Sequence, residues 1–229
     1  MIDDPPLLTV RRNFPRPSAD LVNRLRGTAT GVVVDCMNGR GALHHAIKPV
    51  TPEATSFTGV AVTCDVGPAD NLAVFAAMEI CQPGDVIVIA TDEFLTTAVI
   101  GDMVVGMTAN IGAVGMVTDG AVRDVAGICE AGIACFAAAV TPNSPARNGP
   151  GTAGLPIVCS GVPVSAGDVV VADPDGVVIV PQDQLEQVLA RLPDVLAAEA
   201  GLEEKVKAGL QVPDFAKEVL SGDRVVTLD

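Results

Sequence analysis

Aromatic and basic residues are scarce in this chain of 229 residues. There are six Phe, no Trp and no Tyr, and 14 Lys and Arg stand against 28 Asp and Glu, which gives a formal net charge of −14. Proteins that bind nucleic acid use cations to meet the phosphates and aromatic rings to stack the bases. The composition therefore argues against nucleic acid as a partner, and any anionic substrate needs a local cluster of positive charge.

Histidine is limited to the neighbouring pair His44 and His45, and none of the six cysteines forms a CxxC pair. Two histidines cannot build a three-histidine metal site. The chain also has no G-x-G-x-x-G, P-loop, G-x-S-x-G or H-E-x-x-H motif. These absences argue against dinucleotide-binding, nucleotide-binding and zinc-hydrolase functions. We interpret the histidines as a partly exposed loop pair and the cysteines as mostly buried free thiols.

Long apolar runs are missing as well. The least polar stretch, residues 103–117, contains Thr108, Asn110 and three glycines, and it is shorter than the roughly 20 apolar residues of a membrane span. The opening "MIDDPPLLTVRR" is acidic and interrupted by proline, unlike a secretory signal. We therefore expect a cytoplasmic protein without a membrane association.

What the chain does have is 49% hydrophobic residues, enough for one sizeable α/β domain over residues 1–229. Alternating or continuous β-branched runs predict strands, and apolar residues at helical spacing predict helices. Strands are predicted at residues 31–39, 59–70, 83–90, 112–118, 133–140, 157–164 and 167–181. Helices are predicted at residues 18–27, 70–81, 102–112 and 124–132, and from Asp183 onward. The part after residue 150 is mostly strand, which indicates a barrel-like β portion.

The last helix is predicted to begin at Asp183, where Asp183-x-x-Glu186 resembles a capping box. Pro193 is expected to kink or break this helix. The remainder is amphipathic and follows the close of the domain. We expect the helical region at residues 183–209 to pack on a neighbouring subunit.

The stretch "IGDMVVG" (100–106) marks the start of a predicted helix, with Asp102 as its N-cap. The free backbone N–H groups of Met103 and Val104 would then point outwards, with the positive end of the helix dipole behind them. Such a helix start is suited to binding a carboxylate or phosphate. Plain helix capping explains the same residues.

The stretch "TDGAVRD" (118–124) places a cation beside an anion where a strand is predicted to end in an Asp-Gly bend. At a strand-to-helix junction Arg123 and Asp124 can face one site, and α/β proteins place ligands at such junctions. The donor fork of Arg123 suits a keto or enolate oxygen, and Asp124 suits Mg²⁺, which needs few protein ligands. A helix cap beside a solvated arginine is the alternative interpretation.

Taken together, Asp102, the twenty residues that follow it, and then Arg123 and Asp124 resemble the D-x20-R-D signature of the RraA-like family. That family includes the class II 4-hydroxy-4-methyl-2-oxoglutarate/4-carboxy-4-hydroxy-2-oxoadipate aldolases. The blocks "DNLAVFAAMEICQPGDVIVIA", "GAVGMVTDGAVRDV" and "LPIVCSGVPVSAGDVVVADPDGVVIVP" are similar to family blocks in the same order. The resemblance extends over roughly residues 15–210.

The resemblance implies an α/β/β sandwich related to swivelling domains, assembled as a trimer or hexamer. It also implies a pyruvate-releasing lyase that requires Mg²⁺ or Mn²⁺ and decarboxylates oxaloacetate. The implied metal ligand is Asp124, the implied catalytic residues are Arg123, Asp102 and a neighbouring subunit's Glu199, and the implied substrate-binding residues are Gly101, Met103, Val104, Arg123 and Asn71.

Two departures and one competing function accompany this resemblance. Phe75 stands where some of the aldolases have histidine, and only Lys48 and Arg147 are candidates to meet a distal carboxylate. The competing function is that of the non-enzymatic regulators of ribonuclease E activity, which share the fold but typically lack an aspartate after the arginine. The presence of Asp124 favours the enzyme.

Overall fold

The chain alternates strands and helices up to residue 140 and is mostly strand from there to residue 180. A computed structural model describes residues 6–53 and 55–228, so the first five residues of the acidic opening lie outside the described part. Its strands are β1 Leu8–Val10, β2 Lys48–Pro49, β3 Phe57–Asp65, β4 Asp85–Ala90, β5 Ala98–Ile100, β6 Gly115–Val122, β7 Ala134–Val140, β8 Gly151–Ala153, β9 Ile157–Cys159, β10 Val162–Val164, β11 Val169–Asp173 and β12 Gly176–Val180. Its helices are α1 Ala19–Asn23, α2 Thr30–Cys36, α3 Leu72–Ile80, α4 Asp102–Ile111, α5 Val125–Glu130, α6 Leu185–Lys207 and α7 Asp214–Leu220.

The centre of the molecule is a mixed sheet in the order β1-β8-β3-β4-β6-β7-β2. Strands β3, β4, β6 and β7 run parallel, and β5 pairs in parallel with β6. Every residue of β4 and of β6 is buried, as expected of parallel strands covered on both faces. This burial explains why the strands are near-continuous runs of Val, Ile and Ala.

Two layers cover the central sheet. Helices α3, α4 and α5 pack on one face around a cluster that includes Ile87, Met116 and Ile128. The β9 and β10 hairpin and the β11 and β12 hairpin close the other face around Phe136, which meets Phe57 edge-on at 5.6 Å between ring centroids. Helices α2 and α6 pack outside β11 and β12. The predicted α/β/β architecture with a trailing C-terminal helix is confirmed.

The prediction of a strand at residues 31–39 is wrong, because this segment forms α2. Valines favour strands only weakly, and tertiary contacts override that preference. Val32 and Val33 are buried against α6 and β12. The carboxylate of Asp173 accepts hydrogen bonds from the backbone N–H of Thr30 at 2.7 Å and from its hydroxyl at 2.8 Å. A residue more than a hundred positions away therefore supplies the helix N-terminal contact.

The predicted bend at Asp119 and Gly120 is also wrong, since β6 continues through both residues to Val122. Between Thr118 and Ala121, β6 advances by three residues while its partner β7 advances by two. The strand β6 therefore contains a β-bulge. Asp119 is buried there and accepts hydrogen bonds from Thr91 and Ser160, and burial raises the pKa of its carboxyl group. Arg123 and Asp124 therefore follow the end of β6 directly, with no turn before them.

The last helix begins two residues later than predicted and without the predicted capping box. A short 3₁₀ turn at Gln182–Gln184 precedes α6, and no side chain caps the helix. The helix continues through Pro193, and beyond that point nearly all of its residues are exposed. The further helix α7 was not predicted, and it exposes Phe215 and Val219.

The minor expectations hold for the described residues. Ser18 caps α1 by accepting a hydrogen bond from the backbone N–H of Leu21. His44 and His45 are exposed, and the cysteines are free, with four of the six buried. None of the helices in the described ranges combines the length and the apolar character needed to cross a membrane.

Two arginines near the start of the chain form ion pairs, one with a buried carboxylate and one with an exposed carboxylate. Arg16 binds both oxygens of Asp85, at 2.6 and 3.0 Å, and the side chain of Asp85 is only 4% exposed. Arg12 binds Glu79 in the same two-pronged manner, but both of these side chains are about 60% exposed. Only the first pair neutralises a buried charge.

We predict that Arg16→Ala lowers the free energy of unfolding by about 3 kcal/mol, because it leaves the buried Asp85 carboxylate without its counter-ion. Arg12→Ala is the matched control and is expected to leave stability essentially unchanged, since water replaces an exposed partner. Urea denaturation at pH 7 measures both. Equal losses in the two variants would contradict the difference in burial.

Candidate active site

Most of the predicted site residues lie around one small cavity at the carboxyl ends of β3, β5, β6 and β7, but Asp124 and Glu199 are not among the residues that line it. Its volume is about 120 Å³, below the roughly 300–1,000 Å³ of pockets for drug-sized ligands. Ligands of α/β proteins bind at this end of the strands. The lining comprises Asn71, Val99, Ile100, Gly101, Asp102, Met103, Val104, Arg123, Pro145 and Arg147. A cavity of this size suits a small acid.

Arg123 and Asp124 lie at the junction between β6 and α5, as predicted. Nε of Arg123 is 3.1 Å from Oδ2 of Asp124, and the two side chains are 35% and 45% exposed. Asp124 occupies the N-cap position of α5, but its side chain makes no capping hydrogen bond. Its backbone is left-handed, with φ 58° and ψ 43°, a conformation that costs a non-glycine residue roughly 1–3 kcal/mol. Helix capping therefore does not explain why an aspartate occupies position 124.

The start of α4 differs from the prediction by one residue. Gly101 occupies the N-cap position, and Asp102 is the first helical residue. The backbone N–H of Met103 donates to Oδ1 of Asp102 at 2.7 Å, and that of Val104 donates to the carbonyl of Gly101 at 3.1 Å. Neither N–H group is therefore free, because the carboxylate of Asp102 occupies that of Met103 and the carbonyl of Gly101 occupies that of Val104.

Two glycines let α4 and α5 begin in contact. A Cβ atom on Gly101 would lie 2.6 Å from Oδ2 of Asp124 and 3.1 Å from Cγ of Arg123. A Cβ atom on Gly127 would lie 2.6 Å from Cβ of Asp102. Since real Cβ atoms do not approach so closely, a side chain at position 127 would collide with Asp102, and one at position 101 would displace the carboxylate of Asp124. The absence of both side chains lets the acidic groups and Arg123 lie close together.

Asn71 holds a buried amide in the wall of the cavity. Its Nδ2 group donates to the carbonyl of Val99 at 3.0 Å. Its Oδ1 atom is buried and has no hydrogen-bond partner among the described residues. An unpartnered buried acceptor costs roughly 1–3 kcal/mol. A ligand hydroxyl or a water would satisfy this atom.

The loop at residues 141–150 forms another wall of the site through Pro145 and Arg147. Oδ2 of Asp70 accepts the backbone N–H groups of Asn148 at 2.5 Å and Gly149 at 3.2 Å, while its Oδ1 accepts that of Leu72 at 2.8 Å. Asp70 therefore ties this loop to the start of α3.

Of the two candidates for a distal carboxylate, only Arg147 lines the cavity. Its guanidinium lies 5.9 Å from the ring centroid of Phe75, within the range of a cation–π contact. Lys48 instead donates to the carbonyl of Asp175 at 2.5 Å and is absent from the lining. The site thus has two guanidinium groups, which is the local positive charge that an acidic protein needs to bind an anion.

Glu199 does not reach this cavity in its own chain. It lies on the exposed second half of α6. Its predicted role therefore depends on a second copy of the chain, as the sequence analysis assumed.

A larger cavity of about 880 Å³ lies elsewhere, beside Arg11 and Arg40. Its buried carboxylate, Asp168, accepts the backbone N–H groups of Ser165 at 2.7 Å and Gln182 at 2.9 Å. Both oxygens of Asp168 are thus used in hydrogen bonds to the backbone. Size alone does not make this cavity the better candidate.

The chain is similar to known proteins in sequence and in fold. The family model described as RraA-like, Aldolase/RraA, matches residues 30–179. A relative from Halalkalibacterium halodurans, named "Putative 4-hydroxy-4-methyl-2-oxoglutarate aldolase", is 38% identical over 172 residues, which are 75% of this chain and 81% of the relative. A 4-hydroxy-4-methyl-2-oxoglutarate aldolase from Thermus thermophilus is 33% identical over 113 residues, which are 49% of this chain and 69% of the relative.

Among solved structures, Streptomyces coelicolor RraAS2 is similar, with a TM-score of 0.73 and 27% identity over 83% of this chain and 100% of that chain. It is described as an unusual member of the RNase ES inhibitor RraA protein family. The structural likeness thus includes an inhibitor, while the sequence relatives carry aldolase names. The chain belongs to the RraA-like family.

Proposed function

We propose that this protein is a divalent-metal-dependent lyase that releases pyruvate from 4-hydroxy-4-methyl-2-oxoglutarate and related 2-oxo acids. The observation that carries the proposal is Asp124. Its carboxylate is exposed, caps no helix and pairs only with Arg123 among the described residues, although its backbone is strained. Strain of this kind concentrates at functional sites. The aldolase names of the relatives support the same reaction class.

The start of α4 and the guanidinium of Arg123 would bind the 2-oxo acid end of the substrate. The substrate carboxylate would take the place of the Asp102 carboxylate at the backbone N–H of Met103. Arg123 would donate to the 2-oxo oxygen from the N–H groups not used by its neighbours. The displaced Asp102 carboxylate would then be free to act on the substrate.

The reaction needs a proton acceptor and a place for an electron pair. Removing the proton of the 4-hydroxyl group turns that carbon into a carbonyl and breaks the bond between C3 and C4. The electron pair moves onto the 2-oxo oxygen as an enolate, which Arg123 stabilises, and protonation at C3 gives pyruvate. Asp102 is the carboxylate placed to accept the hydroxyl proton, directly or through a water.

Oxaloacetate would react by the same route. Its C3–C4 bond breaks with release of carbon dioxide and leaves the same pyruvate enolate on the same oxygen. We therefore propose that oxaloacetate decarboxylase activity accompanies the aldolase activity.

The donor set fits Mg²⁺ or Mn²⁺ rather than zinc. Within the described ranges, no three His, Cys, Asp or Glu side chains group closely enough to form a protein-only metal cage. Magnesium retains several waters and takes as few as one or two carboxylates, of which Asp124 would supply one. When bound, the metal would act as a Lewis acid toward the developing enolate.

We also propose that a homotrimer or hexamer completes the site. Beyond Pro193, α6 exposes Leu196, Leu202 and Val206, an apolar surface that packing on another copy would bury. The same contact would bring Glu199 to a neighbouring site.

The second candidate function is regulation of ribonuclease E, which the likeness to RraAS2 favours. A regulator of this kind would need neither the metal nor Asp124. The residue therefore separates the two functions experimentally.

We predict that Asp124→Ala lowers kcat for pyruvate release at least roughly 100-fold, because the metal ligand is lost, and that EDTA abolishes the activity reversibly. Lactate dehydrogenase coupled to pyruvate release measures this with both substrates. Asp92→Ala is the matched control, since Asp92 is also exposed and left-handed, with φ 57°. Full activity in Asp124→Ala or in EDTA would exclude the metal-dependent mechanism, and binding of ribonuclease E without turnover would favour the regulator.

We predict that Gly101→Ala lowers kcat roughly 100-fold, because the new Cβ displaces the carboxylate of Asp124. Gly106→Ala, in the same helix, is the control, because its Cβ would meet nothing within 4 Å. This change should keep full activity and add about 0.5–1 kcal/mol of stability. Equal activities of the two variants would show that the contact at Gly101 is not needed.

We predict that Arg147→Met raises KM for 4-hydroxy-4-methyl-2-oxoglutarate roughly 10-fold, through loss of a charged contact to the distal carboxylate worth about 1.4 kcal/mol. Lys48→Met removes a cation outside the cavity and should leave KM unchanged. Steady-state kinetics of purified variants distinguish them. A larger effect of Lys48→Met would assign the distal carboxylate to a different part of the surface.

A further inference from the structure

The side chain of Ser144 accepts a hydrogen bond from Nη1 of Arg123. Ser144 is exposed and belongs to the loop at residues 141–150, and no sequence motif connects it to Arg123. The contact joins the proposed enolate-binding group to the loop that also carries Arg147, and the proposed mechanism has so far given Ser144 no role. This hydrogen bond can position Arg123 only if the loop holds Ser144 in place.

The loop backbone is fixed on both sides of Ser144. On one side, the carbonyl of Asn143 accepts the N–H of Ala98 at 3.1 Å, and its side chain donates to the carbonyl of Thr96 at 2.8 Å. On the other side, Ala146 exchanges two backbone hydrogen bonds with the residues flanking Asp70, at 2.8 and 3.1 Å. The following Pro145 further restricts the backbone of Ser144. An exposed serine is thus held at a defined position.

Two neighbours orient the Arg123 side chain, and they differ in charge. Asp124 contacts Nε at 3.1 Å and is an anion, whereas Ser144 contacts Nη1 and is neutral. A neutral acceptor orients a guanidinium without cancelling the positive charge that an enolate needs. If Asp124 binds a metal, its attraction for Arg123 weakens, and Ser144 is then the remaining side-chain contact among the described residues.

We propose that Ser144 is a positioning residue that fixes the guanidinium of Arg123 for catalysis. This inference rests on the proposed function. Ser144 acts through Arg123 and does not touch the substrate. Its loss should therefore impair the transition state more than substrate binding.

The test compares Ser144→Ala, Ser144→Thr and the control Ser221→Ala, which removes an exposed hydroxyl near the end of the chain. Ser144→Ala should lower kcat about 10-fold, less than the roughly 100-fold or more for losing an oxyanion donor. KM should change less than about twofold for both oxaloacetate and 4-hydroxy-4-methyl-2-oxoglutarate. Ser144→Thr should restore most of kcat, and Ser221→Ala should match the wild type.

A double-mutant cycle with Arg123→Met identifies the route of the effect. If Ser144 acts through Arg123, then adding Ser144→Ala to Arg123→Met causes no further loss. A further 10-fold loss in the double variant would overturn the proposal, as would unchanged kcat in Ser144→Ala or failure of threonine to restore it. A raised KM with a lowered unfolding midpoint would assign Ser144 a purely structural role in the loop.

Calorimetric binding of oxalate, a planar dianion shaped like the pyruvate enolate, separates this proposal from the proposed function. A wild-type protein that releases no pyruvate from either substrate overturns the proposed function. In that case the oxalate affinities of the variants test the role of Ser144. Weaker oxalate binding by Ser144→Ala, restored in Ser144→Thr, supports the positioning role, and equal binding by Ser144→Ala and the wild type overturns it. A wild-type protein that neither releases pyruvate nor binds oxalate overturns both.

Discussion

The close contact between the first turns of α4 and α5 is the constraint on which the candidate site depends. The helices follow different parallel strands, and their starts lie in contact where Gly101 and Gly127 carry no side chain. Two helix N-termini, each carrying an aspartate, are thereby brought close together. Opposing these ends would be unfavourable without negative groups between them, because both helix dipoles are positive there. Asp102 and Asp124 meet that need in the absence of a ligand, and a substrate carboxylate or a metal would rearrange them.

The same geometry explains how an acidic protein with a net charge of −14 can present an anion-binding site. Arg123 and Arg147 face the cavity from different segments, and the helix starts add the partial positive charge of their backbone N–H groups. Asp124 contacts Arg123, and Asp102 contacts the N–H group of Met103, both at short range. Local geometry, not net charge, therefore decides what this cavity attracts.

Several groups at the site are unfavourable for stability in isolation. Asp124 adopts a left-handed backbone, and Oδ1 of Asn71 is buried without a partner among the described residues. Each of these features costs free energy that the well-packed parallel sheet can offset. Features of this kind distinguish the small cavity from the larger one, where the buried Asp168 is fully hydrogen-bonded. The contrast between satisfied and unsatisfied polar groups therefore favours the small cavity as the candidate site.

Local sequence determined those parts of the protein whose contacts are local. Apolar runs and the turn residues between them predicted β3, β4, β6 and β7, the helices α3 and α4, and the junction at Arg123 and Asp124, because residues close in sequence make the decisive contacts. The short buried strand β5 was not predicted. Only the tertiary structure decided the rest. Residues 31–39 form a helix because distant Asp173 caps it and α6 buries its valines, and the loop at residues 141–150 joins the site because Asp70 binds its backbone. The contact between Ser144 and Arg123 spans two chain segments that meet only at the sheet edge, so no pattern within either segment could have encoded it.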